Sequence, residues 1–507
     1  MRLALISPRL ALQKGDFLGS GVPYWPLELA TLASYAREAG DTVAFVDQFG
    51  ADPSRLENAG DHYLQGVPID APEWSGHLGP SDAFILYAIS YMSHVELLVT
   101  IRWLKRAFPT KPVAVLENSQ AVTAYSLERM APSFFEAGAN MLVCGEPYLN
   151  WEDIKLQLLP IDGNPPSAPN VITQKSRLPP QRITDKLDRY PVPAWDLLNL
   201  DGYWRLPYSH GPKTPTFLPV LTSRGCPYPC DFCVVPETNN KRWRGNDPLH
   251  VVDELIILRD KYGVRDFQIE DLNPTVQHRR WERICELLIE RQANIRFYFV
   301  SGTKAETLHV DKVPLFARAG CRYVSISPES GSDALMKVIG KRFNRQHGIR
   351  LIEACRKNGI RSQACFLVGH PDETEQDFVR SREYLAQLVN VGLDEVAVFV
   401  VAPFAGSALF AKNAISLISK TALPSFSPKG RSDYAMLERR RMELIRVFFA
   451  GKLAKGTDLW MQGIRSVFGT PQTKMENLPR RIAHVMWLIL RASTVGRNFR
   501  SQESVGK

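Results

Sequence analysis

Gly225-Cys226-Pro227-Tyr228-Pro229-Cys230-Asp231-Phe232-Cys233 is the stretch on which the reading of this chain turns. Three cysteines fall within eight residues, just after an apolar run, Phe217-Leu218-Pro219-Val220-Leu221, that reads as a buried strand. Thiolates crowded onto one loop repel one another unless a soft cation holds them, and a metal ion or an iron–sulfur cluster is the usual holder. Pro227 and Pro229 stiffen the loop, and Gly225 lets its backbone approach a bulky inorganic core. A closed zinc site or an electron-transfer cluster takes four protein ligands, so three leave one metal position for a substrate. Taken by itself, the loop also reads as a zinc knuckle completed by a distant histidine such as His210.

The whole chain sets the bounds. Its 507 residues suffice for two or three domains with real cores. A hydrophobic share of 45% and a charged share of 23% describe an ordinary globular protein. Besides the loop cysteines, Cys144, Cys285, Cys321, Cys355 and Cys365 are scattered singly, which fits a reducing compartment and small buried hydrophobes. The net charge of +9 is moderate and dispersed, and no RNA-binding module accompanies it, so nucleic acid is not an expected partner. Met1-Arg2-Leu3-Ala4-Leu5-Ile6 runs straight into a strand without a signal-peptide core, and no apolar run reaches the ~18 residues of a membrane span. A cytoplasmic protein is expected.

In chain order, residues 1–158 alternate strands (Leu3 to Ser7, Thr42 to Asp47, Ala83 to Ser90, Pro112 to Leu116, Met141 to Cys144) with helices, the pattern of a doubly wound parallel sheet. No GxGxxG follows the first strand, which speaks against a dinucleotide. Residues 159–215 are rich in proline (160, 165, 166, 169, 179, 180, 191 and 193) and read as a linker strapped over the surface, with Tyr203, Trp204 and Tyr208 as anchors or as groups reaching the site. Residues 216–415 repeat strand and helix six times, as in an incomplete barrel with its chemistry at the strand C-termini. From about 430 to 507 the tail is helical and basic. Its segments 438–449 and 480–491 read either as interfacial amphipathic helices or as helices docked on the barrel. The expected fold is α/β: a Rossmann-like doubly wound domain, a partial (β/α)6 TIM-type barrel and a helical C-terminal region.

The cysteine spacing, with Phe232 before the last cysteine, resembles the CxxxCxxC signature of the radical S-adenosylmethionine enzymes. Four further segments match that family in register at predicted strand ends. They are Glu270-Asp271-Leu272-Asn273, the run from Gly320 to Gly331 containing Ser327-Pro328-Glu329-Ser330, the run from Phe366 to Thr374 containing Gly369, and Ala402-Pro403-Phe404-Ala405-Gly406-Ser407. The resemblance implies that Cys226, Cys230 and Cys233 hold a 4Fe-4S cluster whose fourth iron takes S-adenosylmethionine. It also implies Phe232, Glu270, Ser327, Glu329, Ser330 and Gly369 as neighbours of that cofactor. The zinc-knuckle reading gives no reason for polar residues at these strand ends.

The first 158 residues resemble the cobalamin-binding domain that precedes many such barrels, through Pro26-Leu27-Glu28-Leu29-Ala30, Ala39-Gly40-Asp41-Thr42-Val43, Val46-Asp47 and Gly145-Glu146. Two features depart from it. Asp47 is followed by Gln48-Phe49-Gly50, without the lower-ligand His, and the Gly-Gly turn after the fourth strand is replaced by Glu117-Asn118-Ser119-Gln120. A Rossmann-like domain that only packs on the barrel is the alternative.

By this resemblance, the reduced cluster cleaves S-adenosylmethionine to a 5′-deoxyadenosyl radical. The leading expectation is cobalamin-dependent C-methylation of an unactivated carbon in a lipid, isoprenoid or natural product. Oxidative cyclisation of the magnesium-protoporphyrin ester cyclase type and a non-catalytic iron–sulfur electron-transfer or regulatory role are the alternatives. The implied partners are a small-molecule or lipid-like substrate and an external one-electron reductant of flavodoxin or ferredoxin type. Peripheral contact with the inner membrane surface is the further reading of the tail.

Overall fold

The computed structural model describes residues 1–14, 21–159, 168–176, 180, 182–184, 187, 190–417 and 431–503; Pro160, Pro165, Pro166 and Pro179 of the proline-rich stretch lie outside them. Two six-stranded sheets carry the architecture. In the first, the spatial order is Thr42–Asp47, Arg2–Ser7, Ala83–Ala88, Val113–Glu117, Met141–Val143 and Val171–Thr173, parallel throughout except for the last, antiparallel strand. Ala83–Ala88 is buried along its whole length, as a central parallel strand covered on both faces must be. Its neighbour Arg2–Ser7 is paired on the other side with Thr42–Asp47, so chain direction across the sheet reverses between the first and third strands. In doubly wound folds that reversal opens a crevice at the strand C-termini, where ligands bind. Here a narrow crevice lies there, bounded among others by Ser7, Arg9, Tyr24, Ser90, Met92 and Ser93.

The second sheet runs Leu218–Val220, Asp266–Ile269, Arg296–Thr303, Cys321–Glu329, Arg361–Val368 and Glu395–Val400, all parallel and in sequence order. Helices such as Pro248–Tyr262, His278–Glu290, Asp333–Ile339, Arg345–Lys357 and Glu375–Val391 separate these strands. Consecutive parallel pairing with intervening helices gives the partial barrel expected from the sequence. Two small elements were not foreseen. Strands Leu10–Gln13, Leu56–Asn58 and His62–Gln65 form an antiparallel sheet, and a ribbon of Ser223–Gly225 with Trp243–Gly245 frames the cysteine loop.

Buried arginine–glutamate pairs join the two halves. Arg224 Nη1 donates to Glu28 Oε2 (2.6 Å), and Arg244 forks onto both oxygens of Glu146 (2.7 and 2.9 Å). Arg182 of the linker donates to Glu117. Glu28 and Gly145-Glu146, singled out as family-like in the sequence, are therefore residues of this seam.

The linker aromatics are anchors. Tyr203 is buried, stacks on Trp25 (4.2 Å between centroids) and donates its hydroxyl to Asp47 (2.8 Å), while Trp204 Nε1 donates to the Phe217 carbonyl (2.8 Å). In the tail, helix Tyr434–Ala454 buries Leu437, Leu444 and Phe448 and packs on Glu375–Val391. The docked reading of 438–449 therefore holds.

Burial raises the Asp47 carboxyl to about 6 from its ordinary 3.8, although the Gly50 N–H and the Tyr203 hydroxyl favour the charged form. A carboxyl raised on folding binds more protons in the folded than in the unfolded state, so it withdraws stability as pH rises from about 4 to about 6. Asp47→Asn, which keeps an acceptor oxygen, should melt above the parent at pH 7.5, and the gap should close by pH 4. Thermal melts at the two values check this; a gap that does not depend on pH would show that Asp47 charges without cost.

Candidate active site at the barrel mouth

The cysteine loop leaves the short strand Ser223–Gly225 through a left-handed glycine. Gly225 has φ +78°, and a Cβ there would sit 2.1 Å from the Arg242 carbonyl oxygen, so only glycine lets the two strands of the ribbon close over the loop. Its N–H donates to Gln120 Oε1 (3.0 Å) across the domain seam, and Gln120 Nε2 donates to Asn239 Oδ1 (2.9 Å). Further along, the Asp231 N–H donates to Ile339 O (3.0 Å), the Asp231 carbonyl accepts from Leu409 N–H (2.8 Å), and its carboxylate faces His370 Nε2 (3.1 Å). Phe232 packs against the buried face of Leu335, Met336 and Ile339. These contacts fix the loop from four sides.

Cys226, Cys230 and Cys233 are unbridged and half-buried on this scaffold. Burial raises the pKa of each thiol, Cys230 to about 12, while Lys341 opposes the rise in all three. Neutral thiols are what such a pocket favours by itself; a cationic core would be needed to hold them as thiolates. The three sulfurs are not among the groups gathered within 4.8 Å of one another, the spacing at which three ligands reach a single ion. His210 is committed elsewhere: its Nδ1 lies 2.6 Å from Glu270 Oε2, and it packs against the Tyr24 ring (5.1 Å).

The other predicted residues divide. Glu329 ends the Cys321–Glu329 strand at φ +61°, a left-handed conformation that costs a residue with a Cβ about 1–3 kcal/mol. It is buried and accepts from Lys341 Nζ (2.6 Å). Burial alone would lower the Lys341 pKa, but the Glu329 carboxylate more than reverses this. Both side chains lie within electrostatic reach of Cys230. Ser327 fills the space above Gly302, where a Cβ would meet its hydroxyl at 1.6 Å. Glu270 stands at the next-but-one strand end with His210 and Tyr24. Ser330 is turned to structure: its hydroxyl meets Ser381 Oγ (2.9 Å) and accepts from the Ser332 N–H (3.1 Å). Gly369, at φ +85°, contributes backbone, donating to Glu373 (2.8 Å) and accepting from Arg431 of the tail (2.8 Å).

Residues 220–385, which span the loop and these strand ends, match the family described as the Radical SAM superfamily. They form a radical SAM domain. Uncharacterized methyltransferase PH0819 of Pyrococcus horikoshii is 28% identical over 232 residues, 46% of this chain and 48% of that protein. The anaerobic magnesium-protoporphyrin IX monomethyl ester cyclase of Rubrivivax gelatinosus is 29% identical over 220 residues, 42% of this chain and 38% of the cyclase. The chain thus spans about half the length of these two curated relatives, or less. The radical S-adenosylmethionine methyltransferase TsrM of Kitasatospora setae, solved with cobalamin and a 4Fe-4S cluster, shares the fold with a TM-score of 0.60 at 16% identity, over 82% of this chain and 79% of that one.

Three residues of the radical SAM domain's surroundings escaped the sequence reading. Lys341 follows a helix C-cap and has no motif; only the fold brings it to Glu329. The His370–Asp231 contact joins two recognised segments, and a buried His beside the loop could have been paired with its lone acid. Gln120, noted only as part of the segment that replaces a Gly-Gly turn, is a bridge to Gly225.

Removing one partner of a buried ion pair strands the other charge, at a cost of about 3–5 kcal/mol, whereas removing both costs far less. Lys341→Met should therefore lower the denaturation midpoint more than Lys341→Met with Glu329→Gln. Urea unfolding of the two variants measures this, and a double variant that is the less stable would refute the pairing.

Proposed function

We propose that this protein is a cobalamin-dependent radical S-adenosylmethionine enzyme that C-methylates an unactivated carbon of a lipid, isoprenoid or natural-product substrate. The observation that carries the reading is the three-thiol loop, held open at the strand-end face of a six-stranded parallel barrel beside the Glu329–Lys341 pair. Cys226, Cys230 and Cys233 fit a 4Fe-4S cluster: they are unbridged, share one loop and are flanked by the cation of Lys341.

The first domain's switch-point crevice, lined by Arg9, Leu10, Val22, Tyr24, Phe49 and Met92 with Ser7, Ser90 and Ser93, is too narrow as it stands to enclose a corrin, so cobalamin would lie over these strand ends, facing the barrel. The Gly-Gly turn is absent, and Glu117 and Gln120 are committed to the seam, so these strand ends and not that turn would hold the ring.

When bound, the cluster supplies the electron that cleaves S-adenosylmethionine, and cobalamin supplies a transferable methyl group. The chain's own residues orient and enclose. Glu329 and Glu270 offer carboxylates to cationic or hydroxyl groups of a ligand, and Ser327 offers a hydroxyl. Lys341 and Lys304 stand beside the loop, paired with Glu329 and Glu306 (2.6 Å each), and Lys304 lies 5.3 Å over the Tyr228 ring. Phe232 and the buried strand ends exclude water, which protects reactive intermediates. An external one-electron reductant of flavodoxin or ferredoxin type completes the reading.

Anaerobically reconstituted protein with dithionite should form 5′-deoxyadenosine, and Cys226→Ala, Cys230→Ala and Cys233→Ala should reduce it to background. Methyl-labelled S-adenosylmethionine should label the product. A full cluster without 5′-deoxyadenosine would favour an electron-transfer role, and unlabelled product would favour oxidation of the cyclase type.

The lipid-like substrate is supported by the tail. Helices Thr457–Val467 and Lys474–Glu503 pack together and leave an apolar face in solvent, with Phe468 87%, Trp460 73% and Leu490 65% exposed, alongside Ile464, Val467, Met486 and Trp487. Among the described residues no helix is long and apolar enough to cross a membrane. Exposed tryptophans beside aliphatic residues suit a bilayer interface. Full-length protein should co-sediment with anionic liposomes, and Trp460→Ser with Phe468→Ser and Leu490→Ser should cut the bound fraction severalfold. Binding unchanged by these substitutions, or a dimer that the triple variant dissolves without any liposome binding by the parent, would overturn bilayer contact.

A further inference from the structure

We propose that His278, Glu282 and His309 form a second metal site, for a divalent transition ion of the zinc type, on the rim of the barrel and independent of the cysteine loop. Among the described residues this is the group of His, Cys, Asp and Glu side chains whose donor atoms all lie within 4.8 Å of one another. His278 opens helix His278–Glu290 and Glu282 follows one turn later, so the two share a helix face. His309 comes from the next strand-end loop, between Arg296–Thr303 and Val313–Ala319.

The geometry is that of ligands without their ion. The His278 and His309 rings lie 3.9 Å apart between centroids, tilted by 36°. His309 Nδ1 is 3.7 Å from Glu282 Oε1, too long for a hydrogen bond. Glu282 Oε1 is buried and has no hydrogen-bond partner among the described residues. A buried carboxylate oxygen facing an imidazole nitrogen without bonding to it is a polar group in want of a cation. Two imidazoles and one carboxylate are borderline ligands that zinc takes readily, with its remaining position left to water.

The two loops are already registered for the task. Thr275 Oγ1 and Thr307 Oγ1 are 2.7 Å apart, Thr307 also reaches Asn273 (3.3 Å), and His347 Nε2 meets the carbonyls of Ala305 (3.1 Å) and Leu308 (3.0 Å). Each ligand therefore sits on backbone held by other contacts, so binding need order little more than three side chains. An ion here would brace the strand-end loops that carry Asp271 and Asn273 on one side and Lys304 on the other.

The test is Zn²⁺ binding to full-length protein, read by competition with a chromophoric chelator. Two forms keep the loop thiols from taking the metal: the cluster-loaded chain and the C226A/C230A/C233A variant. Both should bind one Zn²⁺, and if the triple variant does not fold, the cluster-loaded chain gives the reading alone. His278→Gln or His309→Gln should weaken binding by more than the ~10–100-fold that loss of an outer-shell partner costs. X-ray absorption at the zinc edge should show nitrogen and oxygen neighbours only. No zinc uptake, uptake unchanged by either His substitution, or sulfur in the shell would each overturn the site.

Discussion

Everything at the mouth of this barrel depends on how one peptide unit is seated. Gly225 turns left-handed beneath the Arg242 carbonyl and gives its N–H to Gln120, and from that point the cysteine loop has its direction. A side chain there would meet backbone at 2.1 Å, and the ribbon of Ser223–Gly225 with Trp243–Gly245 would have to part. The loop's later anchors, Asp231 on Ile339, Leu409 and His370, are reachable only after this turn. Three thiols are thereby presented from a frame held by hydrogen bonds to both domains.

That frame is built from both domains. Arg224 and Arg244 belong to the same ribbon and reach Glu28 and Glu146 of the other domain, with Arg224 also lying 4.5 Å over the Tyr190 ring of the linker. Buried pairs of this kind give little net stability, because desolvation offsets most of the attraction. Their geometry is nonetheless exacting, since a fork on a carboxylate tolerates little rotation. The seam therefore sets how the first domain's strand ends face the barrel more than how tightly they adhere.

Much of this was legible in the chain. Alternating apolar runs pointed to both parallel sheets, and the strand Thr42–Asp47 lies where the apolar run places it. The three cysteines were evident because thiols at that spacing have few other uses. What escaped reading has a common cause. Lys341, Gln120, His370 and His309 act through partners 12 to 139 positions away, and no local pattern encodes a contact that only folding creates. The tail stayed ambiguous for the same reason: amphipathy along 438–449 is equally consistent with a bilayer and with the barrel flank, and Leu444 and Phe448, both fully buried, decide for the flank. The Ser330 hydroxyl also has a partner no local pattern announces, Ser381, 51 positions away.

Gln120 has one more consequence. It closes the strand end of the first domain and, through its side-chain oxygen, holds the amide that starts the cysteine loop. A ligand that shifts this strand end on binding must also change the free energy of the loop, and thermodynamic reciprocity then requires the loop's occupant to change the affinity for that ligand by the same factor. The two halves are in this sense a coupled pair of binding equilibria, with the coupling carried by a hydrogen bond where a glycine turn would have left none.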